Sequence, residues 1–556
     1  LDPRVWIEKQ RQLLACEENP VIKPWGGKIP MGLVFPNTYS VGMANLGFQL
    51  VYSMLNREQD VVCERIFWDP SEGFQPFSLE TQQPLGRFEI LAFSIPFEND
   101  YPRVPQLLRM AGIPLDSQKR LPPHPMVWVG GVTASLNPEP IAPFVDLFAI
   151  GEAEALLPEL LQKYRFCKQQ RASKKQCLEE MSSIPGIYVP SLYRVTYEKR
   201  GLIKSFRPVG AAPEKVKRRV ASNLELEVPR SFVLGPSSEF ESMVLVEIGR
   251  GCPRRCFFCA AGHLFHPVRH RSLESLRSTI KEALKLREKI GLVSSSVCDH
   301  PELEGICKEV FSQGGKISVS SLRLDRLEDQ LLESLVQSGH KTISLAPEAG
   351  SQRLRDVIGK GIREDQILEA ANKILSTGIA RLRLYFMVGL PTETRQDVEQ
   401  IVELVKKLLH LGRKLTRGKG LERITLSVNP FVPKPWTPFQ WHAFEDTSEL
   451  KFRIQLIQKR LRPERRVQVL HEPPKWARIQ SLLARGDRRI AMVLSLVAGG
   501  ETWEKALKEV NLNPDFYLHR PRAPEELFPW DFIDQGYSKE LLWGIYQKAL
   551  ARGSQN

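Results

Sequence analysis

Long apolar runs are missing from this sequence: no window approaches the roughly 18 uninterrupted apolar residues that a membrane span needs, so no spanning segment is expected. The opening stretch LDPRVWIEKQRQLLACEENP is charged throughout and lacks the apolar core and small-residue cleavage site of a secretory signal, which makes a cytoplasmic location the expectation. Regular cysteine spacing is scarce too. Cys16, Cys63, Cys167, Cys177, Cys298 and Cys307 are scattered, which speaks against a disulfide framework and for a reducing compartment. Three familiar catalytic phrases are absent as well: the Gly-x4-Gly-Lys-Ser/Thr phosphate loop, His-Glu-x-x-His, and the Gly-x-Ser-x-Gly elbow. Triphosphate hydrolysis, zinc proteolysis and serine hydrolysis therefore have no support.

What is present suits a multidomain globular chain. At 556 residues it is too long for one hydrophobic core and should hold about three domains. Its 42% apolar and 26% charged residues are ordinary for globular proteins. The formal net charge of +14 admits a polyanionic partner such as RNA, or simply a Lys/Arg-rich solvated surface. Binding that weakens steeply with salt would separate the two.

Residues 1–25 read as a separate N-terminal segment. Over 26–165, the apolar stretches MGLVF, DVVCERIF, FEILAFSI, MVWVGG and DLFAIG alternate with helical or proline-rich crossovers. Near-continuous apolar strands separated by helices imply an α/β fold, a doubly wound Rossmann-like sheet covered on both faces. Ligands of such sheets sit beyond the carboxyl ends of the strands, which here read PNTYS, SIPFEND, GGVTASLNPEP and GEAEA. Residues 166–237 are basic and, apart from a hairpin expected in GIYVPSLYRVTY, read as linker. A second series spans 238–445, with strands expected at MVLVEIG, GLVSSSV, KISVSSLRL, KTISLAPE, RLRLYFMVGLP and RITLSVNPFV. Amphipathic helices between them imply a partial (β/α)6 barrel whose working face is at the strand C-termini. The remainder, 446–556, reads as helical and basic. Its Trp530, Phe532, Tyr537 and Trp543 suit packing against the barrel better than base stacking.

Directly after the first barrel strand comes EIGRGCPRRCFFCAAG, which puts Cys252, Cys256 and Cys259 within eight residues and supplies no fourth cysteine nearby. A structural zinc site closes a tetrahedron with four ligands, and only His263 is placed to complete one. Cys-x3-Cys-x2-Cys instead lets three thiolates cap three irons of a [4Fe–4S] cube and leaves the fourth iron open. Set at that position, the motif resembles the radical S-adenosylmethionine (radical SAM) superfamily, and the resemblance runs from Glu241 to Trp441. It implies that the open iron binds the amino and carboxylate groups of S-adenosylmethionine (SAM), whose one-electron reduction releases methionine and a 5′-deoxyadenosyl radical. By the same resemblance Phe258 lies against the adenine. Ser321 and Arg323 in SSLRL, Glu348 in SLAPEAG and Lys360 in IGKG are candidates for holding SAM, since a carboxylate and a cation suit the two ends of its methionine moiety. Each would equally serve as a helix cap or a surface ion pair. Arg254 and Arg255 either raise the positive potential around the cluster or stay solvated. The glycine pair that often follows the second strand in this superfamily is missing from LVSSSVCDHPE.

A Rossmann-like unit followed by such a barrel resembles the cobalamin-binding branch of the superfamily. VFPNTYSVGMANLGFQLVYSMLN, GGVTASLNPEP, LRDVIGKGI, YFMVGLPTET and FPWDFIDQGYSKELLW together resemble an uncharacterised bacterial family of that branch, nearly end to end. Residues 1–262 hold one histidine, His124, outside any Asp-x-His-x-x-Gly phrase, so the usual cobalt-ligating motif is missing. Some members of the branch hold cobalamin without a protein ligand, cradling its nucleotide tail against strand-end backbone. The corresponding candidates are Asn37, Tyr39, Ser94, Gly130, Gly131 and Glu152, the glycines permitting close approach of a ligand or merely making tight turns.

The resemblance thus implies a radical SAM enzyme, expected to be a methyltransferase that uses cobalamin to methylate an unactivated carbon. It implies a reductant such as flavodoxin or ferredoxin as partner, and no catalytic side chain is assigned beyond the cluster ligands. Two other readings stay open. One is cobalamin-independent radical modification of RNA, for example methylthiolation, although enzymes of that kind carry additional N-terminal cluster cysteines. The other is a non-catalytic iron–sulfur sensor or RNA-binding protein. The substrate is not legible.

Overall fold

The computed structural model describes residues 3–68, 76–236, 240–320, 322–415 and 421–554. Strands β1 (Ile29–Phe35), β2 (Val61–Phe67), β3 (Ile90–Ser94), β4 (Met126–Gly130), β5 (Leu147–Ala149) and β6 (Ile187–Tyr188) form one sheet in the order β2-β1-β3-β4-β5-β6. The first five are parallel, and β6 runs antiparallel to β5. Alternate residues of β1 divide between two cores, as strand geometry requires. Met31, Leu33 and Phe35 pack with Phe48, Leu55 and Leu160 on one face, and Val34 packs with Phe93, Leu107 and Leu108 on the other. The helix Leu46–Arg57, which supplies Phe48 and Leu55, starts at Asn45, whose side chain accepts from the Phe48 N–H.

β2 carries two charges, Glu64 and Arg65, that are fully buried. The N-terminal segment explains them. Arg65 bonds Glu17 at 2.6 Å and Glu80 at 2.7 Å, while Glu64 accepts from Trp25 (2.6 Å), Ser78 (2.5 Å) and Thr81 (2.7 Å). Through Glu17 and Trp25 the N-terminal segment thus packs on β2, and buried charge is tolerated there because its hydrogen-bonding capacity is filled.

Strands β7 (Tyr193–Tyr197) and β8 (Ile203–Pro208) form a hairpin, one strand later than GIYVPSLYRVTY implies, because Ile187–Tyr188 joins the main sheet instead. After β9 (Val216–Lys217) the barrel begins with β10 (Val244–Glu247) and continues through a ribbon, β11 (Gly249–Arg250) with β12 (Arg269–His270). It then runs through β13 (Lys289–Val293), β14 (Lys316–Val319), β15 (Thr342–Glu348), β16 (Arg381–Val388), β17 (Arg423–Pro430) and β18 (Val467–His471). β10-β13-β14 and β15-β16-β17-β18 are parallel sheets linked by a Leu322–Leu345 bridge into one open wall. All six expected barrel strands are present. β18 is a seventh, in a region read as helical: VQVLH is partly or fully exposed along its length and lacks the apolar signature of a core strand.

One expected boundary moves, and two regions differ in character from their expected reading. Position 165 falls inside the helix Ala153–Gln169, so the first domain continues through Lys174–Ser182 to β6. The linker is stitched to the far end of the chain, since β9 pairs with β19 (Ile533–Asp534). Residues 446–556 contain β18 and β19 as well as helices. Trp530 and Phe532 are buried, the Tyr537 hydroxyl donates to the Trp436 carbonyl (3.0 Å), and Trp543 packs on Trp441 (5.1 Å), which is the packing role expected of them. Among the described residues no helix is long and apolar enough to cross a membrane.

Candidate active site

The cysteine loop begins where β10 ends and is pinned at its base by the β11–β12 ribbon. Gly251 turns the chain into the loop with φ +88, and a Cβ there would lie 2.1 Å from the Phe265 carbonyl oxygen, so glycine is required. Cys256 is buried; Cys252 and Cys259 are half-buried. Cys259 precedes the short helix Ala260–Leu264 and receives hydrogen bonds from the Ala261 and Gly262 backbone. Burial pushes the Cys256 and Cys259 thiols up. Lys360 and Arg323 pull Cys256 the other way, and the two N–H groups do the same for Cys259. Those donors favour the thiolates that a metal cluster needs. His263 does not join them: its Nε2 faces the Cys256 carbonyl oxygen at 3.3 Å, and burial drives its pKa down to about 4. Among the described residues no three His, Cys, Asp or Glu side chains converge as a single bound ion would require. Thiolates that cap three separate irons have no need to converge.

Barrel strand ends bring charge up to this loop. β15 breaks register before Glu348, which has φ +67 and accepts from Lys360 Nζ at 3.0 Å. Lys360 sits between Gly359 and Gly361, both left-handed. The Phe257 ring fills the space of a Gly359 side chain, 2.7 Å from where its Cβ would be, and the Phe257 N–H donates to the Ile358 carbonyl at 3.0 Å. The lysine turn and the cysteine loop are thereby locked together. Arg323 bonds Asp325 (2.8 Å), and Arg254 reaches both Asp299 and Asp325 (3.6 Å to the latter). Arg254 is consequently neutralised by carboxylates. Cys298 lies in the same neighbourhood, hydrogen-bonded to the Arg323 backbone.

A cavity of about 400 Å³ separates the barrel mouth from the ends of β3, β4 and β5. The sheet contributes Ser94, Gly131 and Gly151, and the barrel contributes Glu247, Arg250 and Ser294. Through Val51, Ser94, Gly131, Gly151 and Ala153 it is continuous with an apolar slot of about 110 Å³ lined by Met31, Ala92, Trp128 and Leu160. Gly130 ends β4 at that slot, and a Cβ added to it would meet nothing within 4 Å. Gly131 differs: its φ is +101 and its Cβ would strike the Ile95 carbonyl oxygen at 2.6 Å. Glu152 lines the cavity while accepting from Arg269 (2.5 Å), Arg250 (3.0 Å) and the Ala221 N–H (2.9 Å). Burial pushes its carboxyl up, but these partners win and hold it below the usual range. Arg218 also lines the cavity; its Nη2 bonds the His266 carbonyl (2.7 Å) and its buried Nε has no partner.

Residues 246–405 match the family described as the radical SAM superfamily, and residues 47–190 match that of radical SAM proteins, N-terminal. An uncharacterized protein of Methanocaldococcus jannaschii is 30% identical over 518 residues, covering 92% of this chain and 98% of that one. The chain belongs to the radical SAM superfamily. An uncharacterized methyltransferase of Pyrococcus horikoshii is 25% identical over 305 residues, covering 52% of this chain and 60% of its own length. Among solved structures, the radical SAM methyltransferase TsrM of Kitasatospora setae, with tryptophan substrate and a SAM analogue bound, is 12% identical with a TM-score of 0.49, covering 94% of this chain and 98% of that one. The cobalamin-dependent radical SAM enzyme OxsB, with aqua-cobalamin and SAM bound, is 16% identical with a TM-score of 0.48, covering 94% and 80%.

Within this radical SAM fold the expected site residues separate into those brought together and those not. Arg323, Glu348 and Lys360 lie in the electrostatic surroundings of Cys256, and Phe258 packs half-buried against the core. Ser321 lies outside the described residues. Ser94, Gly130, Gly131 and Glu152 line the cavity or its slot. Asn37 and Tyr39 line neither: Asn37 Nδ2 bonds Asp100 at 3.0 Å, and Tyr39 donates to Glu17 at 2.7 Å with its ring against Phe67. The N-terminal segment supplies that glutamate, which is why a strand-end position turned out to be structural. Glu152 is held by two arginines, which sequence reasoning did not foresee. It also missed Arg218, Cys298, Asp299 and Asp325, none of which belongs to a spaced motif.

Proposed function

We propose that this radical SAM enzyme binds cobalamin between its sheet and its barrel and uses it to methylate an unactivated carbon. The observation that carries the reading is the paired cavity, a chamber beside the cysteine loop into which Glu152, Arg218 and Arg250 bring charge, continuing into an apolar slot at the strand ends. Cobalamin is divided in the same way, into an amide-fringed ring and a flat benzimidazole tail. Gly130 leaves the slot open at backbone level, and the orphaned Arg218 Nε offers a donor to an amide carbonyl or phosphodiester oxygen. Among the described residues, no histidine lines either space. Bound there, cobalamin would supply the methyl carrier.

Beside the chamber, Cys252, Cys256 and Cys259 would hold the [4Fe–4S] cluster. Lys360 and Arg323 favour the thiolate of Cys256 over its thiol, and the Glu348–Lys360 pair presents one charge of each sign to the ammonium and carboxylate of SAM. Phe258 would lie against the adenine. Methylthiolation is less well served, because Cys63, Cys167 and Cys177 are buried in the core of the first sheet. Protein produced in cobalamin-fed cells is expected to keep a corrinoid absorption spectrum after its cluster is stripped. A corrinoid-free spectrum would reject methyl transfer through cobalamin and leave membership of the superfamily untouched.

A further inference from the structure

Away from both walls, the C-terminal helices meet the first sheet at a junction with more positive charge than its acids neutralise. Arg485 ends the helix Pro474–Arg485 and is 1% exposed; Arg522 is 6% exposed. The neighbouring charges are already matched. Arg520 bonds both oxygens of Glu526 (2.7 and 2.5 Å), and Asp487 accepts from Arg489 (2.6 Å) and the Tyr517 hydroxyl (3.0 Å). Arg485 has no carboxylate partner. Its Nη1 reaches only the Leu518 carbonyl, at 3.4 Å, while its Nε and Nη2 are unpartnered. Arg522 Nη2 reaches the carbonyls of Arg485 (3.3 Å) and Tyr517 (3.4 Å), and its Nε is unpartnered. Phe528 at 5.1 Å and Trp530 at 5.6 Å give Arg522 partial compensation through their ring faces.

Two buried guanidiniums thus stand beside each other, and the nearest carboxylates, Asp487 and Glu526, are each already engaged by another arginine. Guanidinium does not escape such a place by losing its proton, and an uncompensated buried charge is strongly destabilising. The arginines line a gap of about 10 Å³ together with Asp487, Tyr517 and Glu526. That is roughly room for one water-sized species, too little for phosphate or a carboxylate ligand.

We propose that this gap binds a monatomic anion, chloride under cellular conditions, between Arg485 and Arg522. A water molecule would accept the orphaned hydrogen bonds but leave the charge unbalanced. The position also gives the ion a structural consequence. Asn137 of the first domain donates to the carbonyls of Ala484 (3.0 Å) and Gly486 (2.8 Å), on either side of Arg485, and Arg489 reaches the Gly201 carbonyl in the β7–β8 turn at 2.8 Å. Three parts of the chain meet around the gap, so the ion should stiffen the junction.

Crystals of the full chain grown in sodium bromide test this directly. An anomalous bromine peak within hydrogen-bond distance of both guanidiniums is expected, and its loss in Arg485→Met. In solution, the melting temperature should rise and saturate with sodium bromide relative to sodium gluconate at equal ionic strength, and the rise should vanish in Arg485→Met. Absence of the peak in the wild-type crystal, or equal melting temperatures in bromide and gluconate, would overturn the proposal. The wild-type measurements decide the matter even where Arg485→Met fails to fold.

Discussion

The two walls of the central cavity are made of different material. The barrel side offers side chains: three cysteines, with Arg323, Glu348 and Lys360 arranged around them, next to the cavity that Gly251, Leu264 and Phe265 of the same region line. The sheet wall offers bare backbone at Gly130, where a Cβ would meet nothing within 4 Å, beside tight turns at Gly131 and Gly151. A site of the first kind is damaged by taking atoms away. A site of the second kind is damaged by adding them, and the two forms of damage should be separable in one chain.

The largest separation is expected from Cys256→Ala. Iron retention and SAM cleavage should fall to background, measured by iron assay and product chromatography, while corrinoid retention stays at the wild-type level. Gly130→Leu should do the converse. Its Cβ meets no neighbour in the folded protein, so the chain should fold normally, yet the side chain would occupy the slot and weaken corrinoid retention by about tenfold or more, equivalent to roughly 1.4 kcal/mol. Loss of both cofactors in either variant would erase the distinction between the walls. Next door, Gly131→Ala should behave differently from Gly130→Leu. It forces an L-residue to φ +101 against the Ile95 carbonyl, which should cost about 1–3 kcal/mol of stability and show as a lower melting temperature.

An effect on stability alone is expected outside both walls. His442 bonds the Tyr546 hydroxyl (3.1 Å), and burial, followed by the nearby Arg485, lowers its pKa from 6.5 to about 4. The folded protein therefore binds fewer protons than the unfolded chain in that interval. This contribution is complete above pH 6.5 and disappears as pH falls through 4, with a slope of at most about 1.4 kcal/mol per pH unit. His442→Gln should flatten that part of the curve of melting temperature against pH without altering either cofactor's retention.

The same contrast explains how much was legible. Cys252, Cys256 and Cys259 announce themselves because adjacent side chains on one loop leave their spacing in the sequence. Glu348 and Lys360 stood out for a related reason, since they lie only twelve residues apart, at the end of β15 and just after the short helix Gln352–Val357. Most strands of both sheets were visible from their apolar runs; β18, whose residues are partly or fully exposed, escaped, and the two-residue β6 read as part of a hairpin. The sheet wall was harder to read. Gly130 and Gly131 look alike in sequence, and only three-dimensional neighbours distinguish an opening from a tight turn. Tyr39 was misread because the acceptor that occupies it, Glu17, comes from a segment with no pattern of its own. Glu152 and Arg218 depend on partners about fifty or more residues away, Arg269 and Arg250 for the first and His266 for the second.

The proposed chemistry rests on three thiols of one loop leaving an iron uncapped for SAM. Anaerobic reduction of the reconstituted protein with dithionite in the presence of SAM, followed by quantification of 5′-deoxyadenosine, tests it most directly. The wild type should release 5′-deoxyadenosine together with methionine, and Cys256→Ala should release none. Zinc in place of iron at the three cysteines, or a fully loaded cluster that yields no 5′-deoxyadenosine, would contradict it.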